Sequence, residues 1–415
     1  IEYVDKDGNP IDMLNSTFTE GDVVYQKLGK AAFVTNGVNH VAADLEQFLD
    51  RGYSLITLLD NVEISEPIVL ENPNTNMNLD LNGKTLSCSG DCTRIIRANG
   101  KNSSLSITNG TIEAGDAQGI TVGQKTEVEQ NVFVNVANDV TINADTYGIT
   151  VFGNKANLDF SGTINIKNDG YGISGNGSSG YAGTEITIND GAKITATHKD
   201  GFALYIPQNG IVNIYNGELK GASVVGIKSG TLNVLGGKLI ATGEKINPVY
   251  PTNNGTESTG DVIFVEMNDK YAKNVEVNVS SEATLSTTDE NAKAIFDYNS
   301  NSIDAPIIRS DEYSTVETSL DTNGKLYTYY LPTSEAVMTV NEKNYSINSY
   351  MNELNSNSEF LSVKLLKDIV LTKDIIFDTD NQTINFDLNG KTLSCNGDCT
   401  RIIRANGKNS SLSIT

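Results

Sequence analysis

Short strands recur through most of this chain at a regular interval. A small residue followed by an aliphatic one stands at positions 119, 148, 172, 203 and 226, so successive copies are 29, 24, 31 and 23 residues apart. A period of about 20 to 30 residues with two or three short strands is typical of a stack of β-coils. The copies are Gln118-Gly119-Ile120, Tyr147-Gly148-Ile149, Tyr171-Gly172-Ile173, Phe202-Ala203-Leu204 and Val225-Gly226-Ile227.

The strands between these motifs alternate in polarity. Ile, Val and Leu take turns with Thr, Asn and Lys, as in Val140-Thr141-Ile142-Asn143, which predicts an aliphatic interior and a polar exterior. Asn-Gly dipeptides, including those at 82, 99, 109, 209 and 216, suit turns that need positive φ. We therefore predict an all-β solenoid, a parallel β-helix of roughly ten coils. A β-sandwich is the alternative, but it gives no reason for the coil-length interval.

One stretch of the chain occurs twice. Residues 80–108 and 387–415 differ only at Ser89 and Asn396, and Cys88 and Cys395 are 307 residues apart. The second copy ends at Thr415, where the first continues, and the chain has no initiator Met. We expect the chain to be a segment of a longer tandem array, with both natural termini beyond it, that holds about one and a third repeats.

An amphipathic helix is predicted before the strands of each copy. In residues 38–50 the apolar side chains share one helical face, and residues 346–354 are the counterpart, with Ser346 as a candidate N-cap. Such a helix would cover one open end of the sheets. The apolar positions of the first helix are Val38, Val41, Leu45, Phe48 and Leu49.

Small β modules separate the copies. Tyr3-Val4 and Pro10-Ile11 flank a turn at Gly8, which predicts a hairpin, and the same turn chemistry recurs between Leu320 and Tyr327. The Asp5-x-Asp7-Gly8 turn lacks the further acidic ligands of a calcium loop. We predict a linker module at 1–37, a helix-capped β-helix at 38–302, a second linker at 303–345, and the start of the next repeat at 346–415.

Four cysteines form two local pairs, Cys88 with Cys92 and Cys395 with Cys399. Neither pair has a nearby Cys or His to complete a zinc site. A disulfide that closes the corner between two strands is the favoured interpretation, and it indicates an oxidising, extracellular setting. Two free thiols in each copy are the alternative.

The segment from Leu79 to Leu86, LDLNGKTL, is followed about twenty residues later by the strand Ser104-Leu105-Ser106-Ile107. This pairing is similar to right-handed parallel β-helix (pectate-lyase-like) domains of large bacterial cell-surface proteins. The resemblance covers about residues 55–298 and begins again at about 361. It implies an adhesin-like or stalk-forming role on the surface of a Gram-positive-type bacterium.

Charge and hydropathy exclude some partners. The formal net charge is −22, from 52 acidic and 30 basic residues, which disfavours nucleic acid or an anionic membrane as a partner. No run of about 18 apolar residues exists, so we expect no membrane insertion in this segment.

Catalysis is an alternative function, because the fold that the resemblance implies also hosts polysaccharide lyases and hydrolases. Glycoside hydrolysis needs two carboxylates on one face, and the predicted walls carry mainly Thr, Asn, Ser and Lys. His198-Lys199-Asp200, beside Asn189-Asp190, is the best candidate, and a solvated turn explains it at least as well. Residues 175–180 match G-x-G-x-x-G, but a strand follows them where a nucleotide site needs a helix. We predict no catalytic residue, cofactor or metal site.

Four tyrosines are candidate binding residues. Tyr147, Tyr171 and Tyr205 fall on neighbouring predicted coils, where they could form a platform for sugars or a stack that stabilises the coils. Tyr250 lies in the irregular segment 244–260, a predicted loop and candidate contact site.

The resulting functional prediction is an extracellular structural or adhesive tandem-repeat protein that forms a stiff stalk or fibre. The alternatives are a subunit of a polymeric surface filament, and a carbohydrate-binding or carbohydrate-active β-helix protein. The expected partners are neighbouring repeats, other copies in a fibre, and a host glycan or protein.

Overall fold

The structure, a computed structural model, describes residues 3–4, 10–11, 17–20, 23–26, 33–40, 45, 55–124, 128–175, 183–246, 257–267, 274–298, 305–320, 326–354 and 358–415. Most of these residues lie in β-strands. Between residues 55 and 310 the chain visits three parallel sheets in turn, and we call one passage through all three a coil.

Each strand pairs in parallel with the equivalent strand one coil later. Sheet 1 comprises Leu55–Leu58, the first parts of Asn76–Cys88 and Ser104–Gly115, Glu129–Val136, Asn154–Phe160, Thr184–Ile188, Gly210–Ile214, Gly230–Val234, Val275–Val279 and Ile307–Ser310. Sheet 2 comprises Val62–Ile64, the second parts of the same two long strands, Val140–Ala144, Thr163–Ile166, Ala192–Ala196, Gly217–Gly221, Gly237–Ala241 and Ala283–Thr287.

Sheet 3 completes each coil and pairs in the same parallel way. Its strands in the coils are Ile68–Leu70, Arg94–Ala98, Gln118–Val122, Tyr147–Val151, Tyr171–Ser174, Phe202–Ile206, Ser223–Ile227, Ile263–Val265 and Ile295–Asp297. The predicted all-β class with long parallel sheets is therefore confirmed and is consistent with a β-helix. The β-sandwich alternative is wrong, because its sheets would be antiparallel.

The interior is aliphatic, as the alternation predicts. In Val140–Ala144 the residues Val140, Ile142 and Ala144 are buried, whereas Thr141 and Asn143 are only partly covered. Buried aliphatic side chains from all three sheets form one continuous core cluster along the coils. Burial of this aliphatic surface is the main force that holds the coils together.

The glycines of the coil motif lie within strands of sheet 3 and approach this core closely. A Cβ on Gly148 would come 2.6 Å from the Cγ2 of Ile164 and 2.5 Å from the backbone oxygen of Gly172. Gly119 and Gly172 meet the same obstacle at Ile142 and Ile194. The motif is therefore a steric requirement: the small residue turns inward, so the aromatic residue before it turns outward.

Substituting Gly148 with valine should destabilise the fold by about 1–3 kcal/mol, because the added methyl groups overpack the space beside Ile164 and Gly172. Chemical denaturation monitored by circular dichroism would measure this change. Thr141→Val, on an outward strand position, should change the free energy of unfolding by less than about 0.5 kcal/mol. Equal effects of the two substitutions would contradict the steric interpretation.

Asparagines stack where the chain enters sheet 1. Asn74, Asn102 and Asn131 have positive φ values of 60°, 56° and 49°, a conformation that Asn tolerates better than most residues. The amide of Asn102 donates to Asn74 at 3.2 Å, and that of Asn131 donates to Asn102 at 3.0 Å. In the second copy Asn409 donates to Asn381 at 3.3 Å, so the same turn is rebuilt 307 residues later.

The predicted helix at 38–50 is not seen, and its first part is wrong. Val38–His40 is a strand that pairs antiparallel with Phe33–Thr35, and this hairpin pairs with Leu55–Leu58. The turn is Asn36-Gly37, with φ values of 49° and 75°, which is the strongest short hairpin signal in a sequence. Leu45 is helical and buried, and the other residues after 40 lie outside the described part of the chain.

In the second copy a short helix, Tyr350–Leu354, packs the buried side chains of Tyr350 and Leu354 against the local core. This helix begins four residues after Ser346, whose Oγ accepts the backbone N–H of Asn348 at 3.2 Å.

Both predicted hairpins are present. Tyr3–Val4 pairs antiparallel with Pro10–Ile11, and Thr315–Leu320 pairs antiparallel with Leu326–Leu331. The turn residues of both hairpins lie outside the described residues. A third antiparallel pair joins Thr17–Glu20 with Val23–Gln26.

Sheet 3 continues without a break into the second copy. Ile295–Asp297 pairs with Leu326–Leu331, which pairs with Thr315–Leu320, then Lys343–Tyr345, Met338–Val340 and Phe360–Leu365. A short 3₁₀ turn, Thr333–Glu335, lies within this connection. The second copy then repeats the parallel pattern with Thr383–Asp387 and Ser411–Ile414 on Phe360–Leu365, Ile369–Leu371 on Leu393–Cys395, and Ile375–Phe377 on Ile403–Ala405.

The cysteines form the two predicted disulfides, Cys88 with Cys92 and Cys395 with Cys399. The first disulfide closes the corner between a strand of sheet 2 and Arg94–Ala98 of sheet 3. The alternative of free thiols is therefore wrong. The disulfides indicate an oxidising environment.

Candidate functional site

The outer face of sheet 3 brings together the aromatic residues that the sequence singles out. Successive strands place residues in register as two outward columns. The first column contains Arg94, Gln118, Tyr147, Tyr171, Phe202 and Ser223. The second column contains Arg97, Thr121, Thr150, Ser174, Tyr205, Gly226, Phe264 and Phe296.

Three of the four predicted tyrosines lie on this face. The Tyr171 and Tyr205 rings stack at 4.6 Å between centroids, and Tyr147 meets Tyr171 edge-on at 5.7 Å. Tyr147 is 36% exposed, Tyr171 is partly buried, and Tyr205 is 5% exposed. Tyr205 is therefore a packing residue, whereas Tyr147 presents a ring to solvent. Tyr250 lies outside the described residues.

Towards the start of the chain the same face carries hydrogen-bonding groups. Arg94 donates to Thr121 Oγ1 at 3.3 Å, and Thr121 donates to Gln118 at 3.1 Å. Arg97 donates to Gln124 at 3.4 Å. Burial, and then the neighbouring charge of Arg97, lower the pKa of Arg94. The face thus changes from cationic and amide groups to tyrosine rings within a few coils.

Towards the other end the face becomes a closed aromatic cluster. Phe264 and Phe296 lie 5.4 Å apart, and Phe296 stacks on Tyr329 of the linker at 4.7 Å. Gly226 makes room for the rings of Phe202 and Tyr205, because a Cβ there would lie 3.0 Å from Phe202. The aromatic cluster, whose buried members are Phe202, Tyr205, Phe264, Phe296, Tyr298, Tyr327 and Tyr329, is separate from the aliphatic core.

Two buried ion pairs adjoin the aromatic cluster, and the sequence analysis missed both. Lys228 Nζ lies 3.0 Å from Glu266 Oε2, with side chains 1% and 2% exposed, and 5.7 Å from the centre of the Tyr205 ring. Lys245 contacts Asp261, with side chains 12% and 0% exposed. A signal was present, since Lys228 and Glu266 directly follow apolar strands of sheet 3.

The catalytic candidate His198-Lys199-Asp200 lies in a turn that hydrogen bonds to Asp169 stabilise. His198 Nδ1 contacts Asp169 Oδ1, and the backbone N–H of Asp200 donates to the same oxygen at 3.0 Å. These hydrogen bonds, first that of Asp200, lower the pKa of Asp169. A glycosidase acid needs a raised pKa, so this contact works against that role. Asp190 instead accepts the amide of Asn216 at 2.7 Å.

An open groove of about 530 Å³ is lined by Glu113, Asp116, Asn143, Asp145 and Lys167, among others. No group of three His, Cys, Asp or Glu residues is arranged to hold a metal ion within the described ranges. Of the helices in those ranges, none is long and apolar enough to cross a membrane.

Comparison with known proteins finds no family model that matches the chain, and no significantly similar curated protein or solved structure.

Proposed function

We propose that this chain is part of an extracellular tandem-repeat protein whose copies form a stiff stalk on a bacterial surface. In this proposal each copy is a right-handed parallel β-helix of the pectate-lyase-like kind, and the β modules between copies are rigid joints. Right-handedness agrees with the hand of nearly all parallel crossovers. The disulfides agree with an extracellular location.

The single observation that carries the proposal is the uninterrupted sheet across the joint. Backbone pairing passes from Ile295–Asp297 to Phe360–Leu365 through the two linker hairpins. A flexible linker would let two copies reorient freely, whereas a hydrogen-bonded sheet resists bending. With strands about 4.8 Å apart, nine coils alone contribute roughly 40 Å of length per copy.

Small-angle scattering and electron microscopy of proteins with one, two and three complete copies would test the proposal. We expect a rod that lengthens by a constant increment, at least roughly 40 Å, for each copy. A control in which residues 311–345 are replaced by a Gly/Ser segment of equal length keeps the last coil strand, Ile307–Ser310, and should show a broad range of angles between copies. If the parent and the control are equally flexible, the proposal of a stiff stalk is wrong. Fibres assembled from single copies would favour the polymeric filament.

A second candidate function is contact with a glycan on the outer face of sheet 3. The observation that favours it is the exposed ring of Tyr147, beside Tyr171 and in one column with Gln118 and Arg94. Aromatic rings and planar polar groups are suited to the apolar faces and hydroxyls of sugars.

If this face binds a glycan, Tyr147→Ala should weaken binding by about tenfold, the equivalent of ~1.4 kcal/mol. The ligand for this measurement is a glycan that the parent protein binds on a glycan array. Tyr215→Ala is the matched control, since Tyr215, 51% exposed, is a surface tyrosine outside both columns. Equal weakening of binding in the two variants would contradict this second function. Unchanged binding in both variants would contradict it as well.

A further inference from the structure

Lys245 and Asp261 bring an amine and a carboxyl into contact in a buried site. The Nζ of Lys245 meets Oδ2 of Asp261, and the carboxyl side chain is fully buried. The two residues lie on either side of segment 246–260, which connects Gly237–Ala241 of sheet 2 with Ile263–Val265 of sheet 3.

Aromatic rings surround the amine. Lys245 Nζ lies 4.1 Å from the centre of the Phe296 ring and 4.8 Å from that of Tyr329. Burial lowers the pKa of Lys245 and raises the pKa of Asp261, although each charge opposes the shift of the other. Both directions favour transfer of one proton within the pair, which yields a neutral amine and a neutral carboxylic acid. These are the forms that condense.

Backbone groups hold both partners in place. Asp261 Oδ1 accepts the backbone N–H of Lys293 at 2.7 Å, and the backbone N–H of Lys245 donates to Asp289 Oδ2 at 2.7 Å. One carboxyl oxygen is therefore bound by an amide donor while the other faces the amine. An N–H so placed stabilises negative charge that develops on the bound oxygen during attack at the carboxyl carbon.

From this geometry we propose that Lys245 and Asp261 form a self-generated isopeptide cross-link. The Nζ lone pair attacks Cγ of Asp261, and the oxyanion forms on Oδ1 beside the Lys293 N–H. The Nζ–Cγ bond forms and the Cγ–Oδ2 bond breaks. Oδ2 leaves as water with the carboxyl proton and one amine proton, so no other reactant is needed. Fixed proximity can supply a large effective concentration for such a step.

The cross-link would close segment 246–260 into a covalent ring beside the joint between copies. Phe296 belongs to the last coil and Tyr329 to the linker, so the amide would lie under the point where the two meet. It would also remove two titratable groups from a buried site, where their charged forms are costly. This inference does not depend on the proposed surface function.

Intact mass measurement of the reduced, folded full chain tests the cross-link. We expect the parent to be lighter than its sequence by one water molecule, and Lys245→Met and Asp261→Ala to match their own sequences. Lys293→Met keeps the backbone donor and should retain the mass deficit. After digestion, tandem mass spectrometry should find one branched peptide that joins Lys245 to Asp261.

Asp261→Asn keeps the shape of the site in case Asp261→Ala fails to fold. If it reacts, ammonia leaves in place of water and the product has the mass of the cross-linked parent. A folded parent, shown by a cooperative unfolding transition, that retains its full sequence mass after prolonged incubation would overturn the proposal. A mass deficit that persists in Lys245→Met would also overturn it, because succinimide formation elsewhere would then be the source.

Discussion

Replacing Lys228 with methionine should lower the free energy of unfolding by about 3–5 kcal/mol, the typical cost of removing one partner of a buried ion pair. Glu266, 3.0 Å from the ammonium group, would then keep a carboxyl in an almost fully buried position without its lysine. Urea denaturation monitored by circular dichroism would measure the change. The large effect is expected because the low-dielectric interior cannot solvate the remaining charge.

The double variant Lys228→Met/Glu266→Leu should recover most of this loss, since both charges are then absent. Lys220→Met is the matched control, because Lys220 pairs with Glu218 at 2.6 Å on the surface, with both side chains substantially exposed. That variant should cost less than about 1 kcal/mol. Similar losses for Lys228→Met and Lys220→Met would show that Glu266 does not depend on its buried partner.

Replacing Phe296 with alanine should cost about 3–5 kcal/mol and should loosen the joint between copies. Phe296 is fully buried, stacks on Tyr329 at 4.7 Å and meets Tyr327 edge-on at 5.5 Å. Both tyrosines belong to the linker strand Leu326–Leu331, so the cavity opens where the last coil meets the linker. Limited proteolysis should therefore cut the variant between residues 298 and 345 before the parent.

Phe160→Ala provides the matched comparison for this joint effect. Phe160 is also fully buried, but it belongs to the aliphatic core several coils earlier. We expect a comparable loss of stability without preferential cutting at the linker. Cutting at the linker in both variants would mean that global unfolding, and not the aromatic cluster, controls access to the joint.

The tyrosine face could be predicted only in part from the sequence. The motif Tyr147-Gly148-Ile149 and its copies identified the coil interval. The motif requires a small residue because Gly148 packs against the side chain of Ile164. The same motif could not tell whether its tyrosine would be exposed or packed. At the same motif position Tyr147 is exposed, Tyr171 is partly buried and Phe202 is fully buried, because the face closes progressively towards the linker.

The error at residues 38–40 has a physical reason as well. Val38, Val41 and Leu45 satisfy helical spacing, but Asn36-Gly37 favours a tight hairpin. Pairing of Phe33–Thr35 with Leu55–Leu58 then supplies backbone partners that make Val38–His40 a strand. Hydrogen bonds to a neighbouring strand thus override the helical periodicity at Val38–His40. A short apolar run of this kind is compatible with either a helix or a strand.

Local chemistry alone was sufficient for the strand rhythm, the inward and outward sides of the strands, the hairpins at 3–11 and 315–331, and both disulfides. These features depend on residues within a few positions of one another, through side-chain alternation, turn preferences and a five-residue corner. The tertiary structure alone decided that Lys228 meets Glu266, that Lys245 meets Asp261, and that one sheet joins the two copies. Those contacts depend on how the coils stack on one another and on the linker, which the local pattern does not specify.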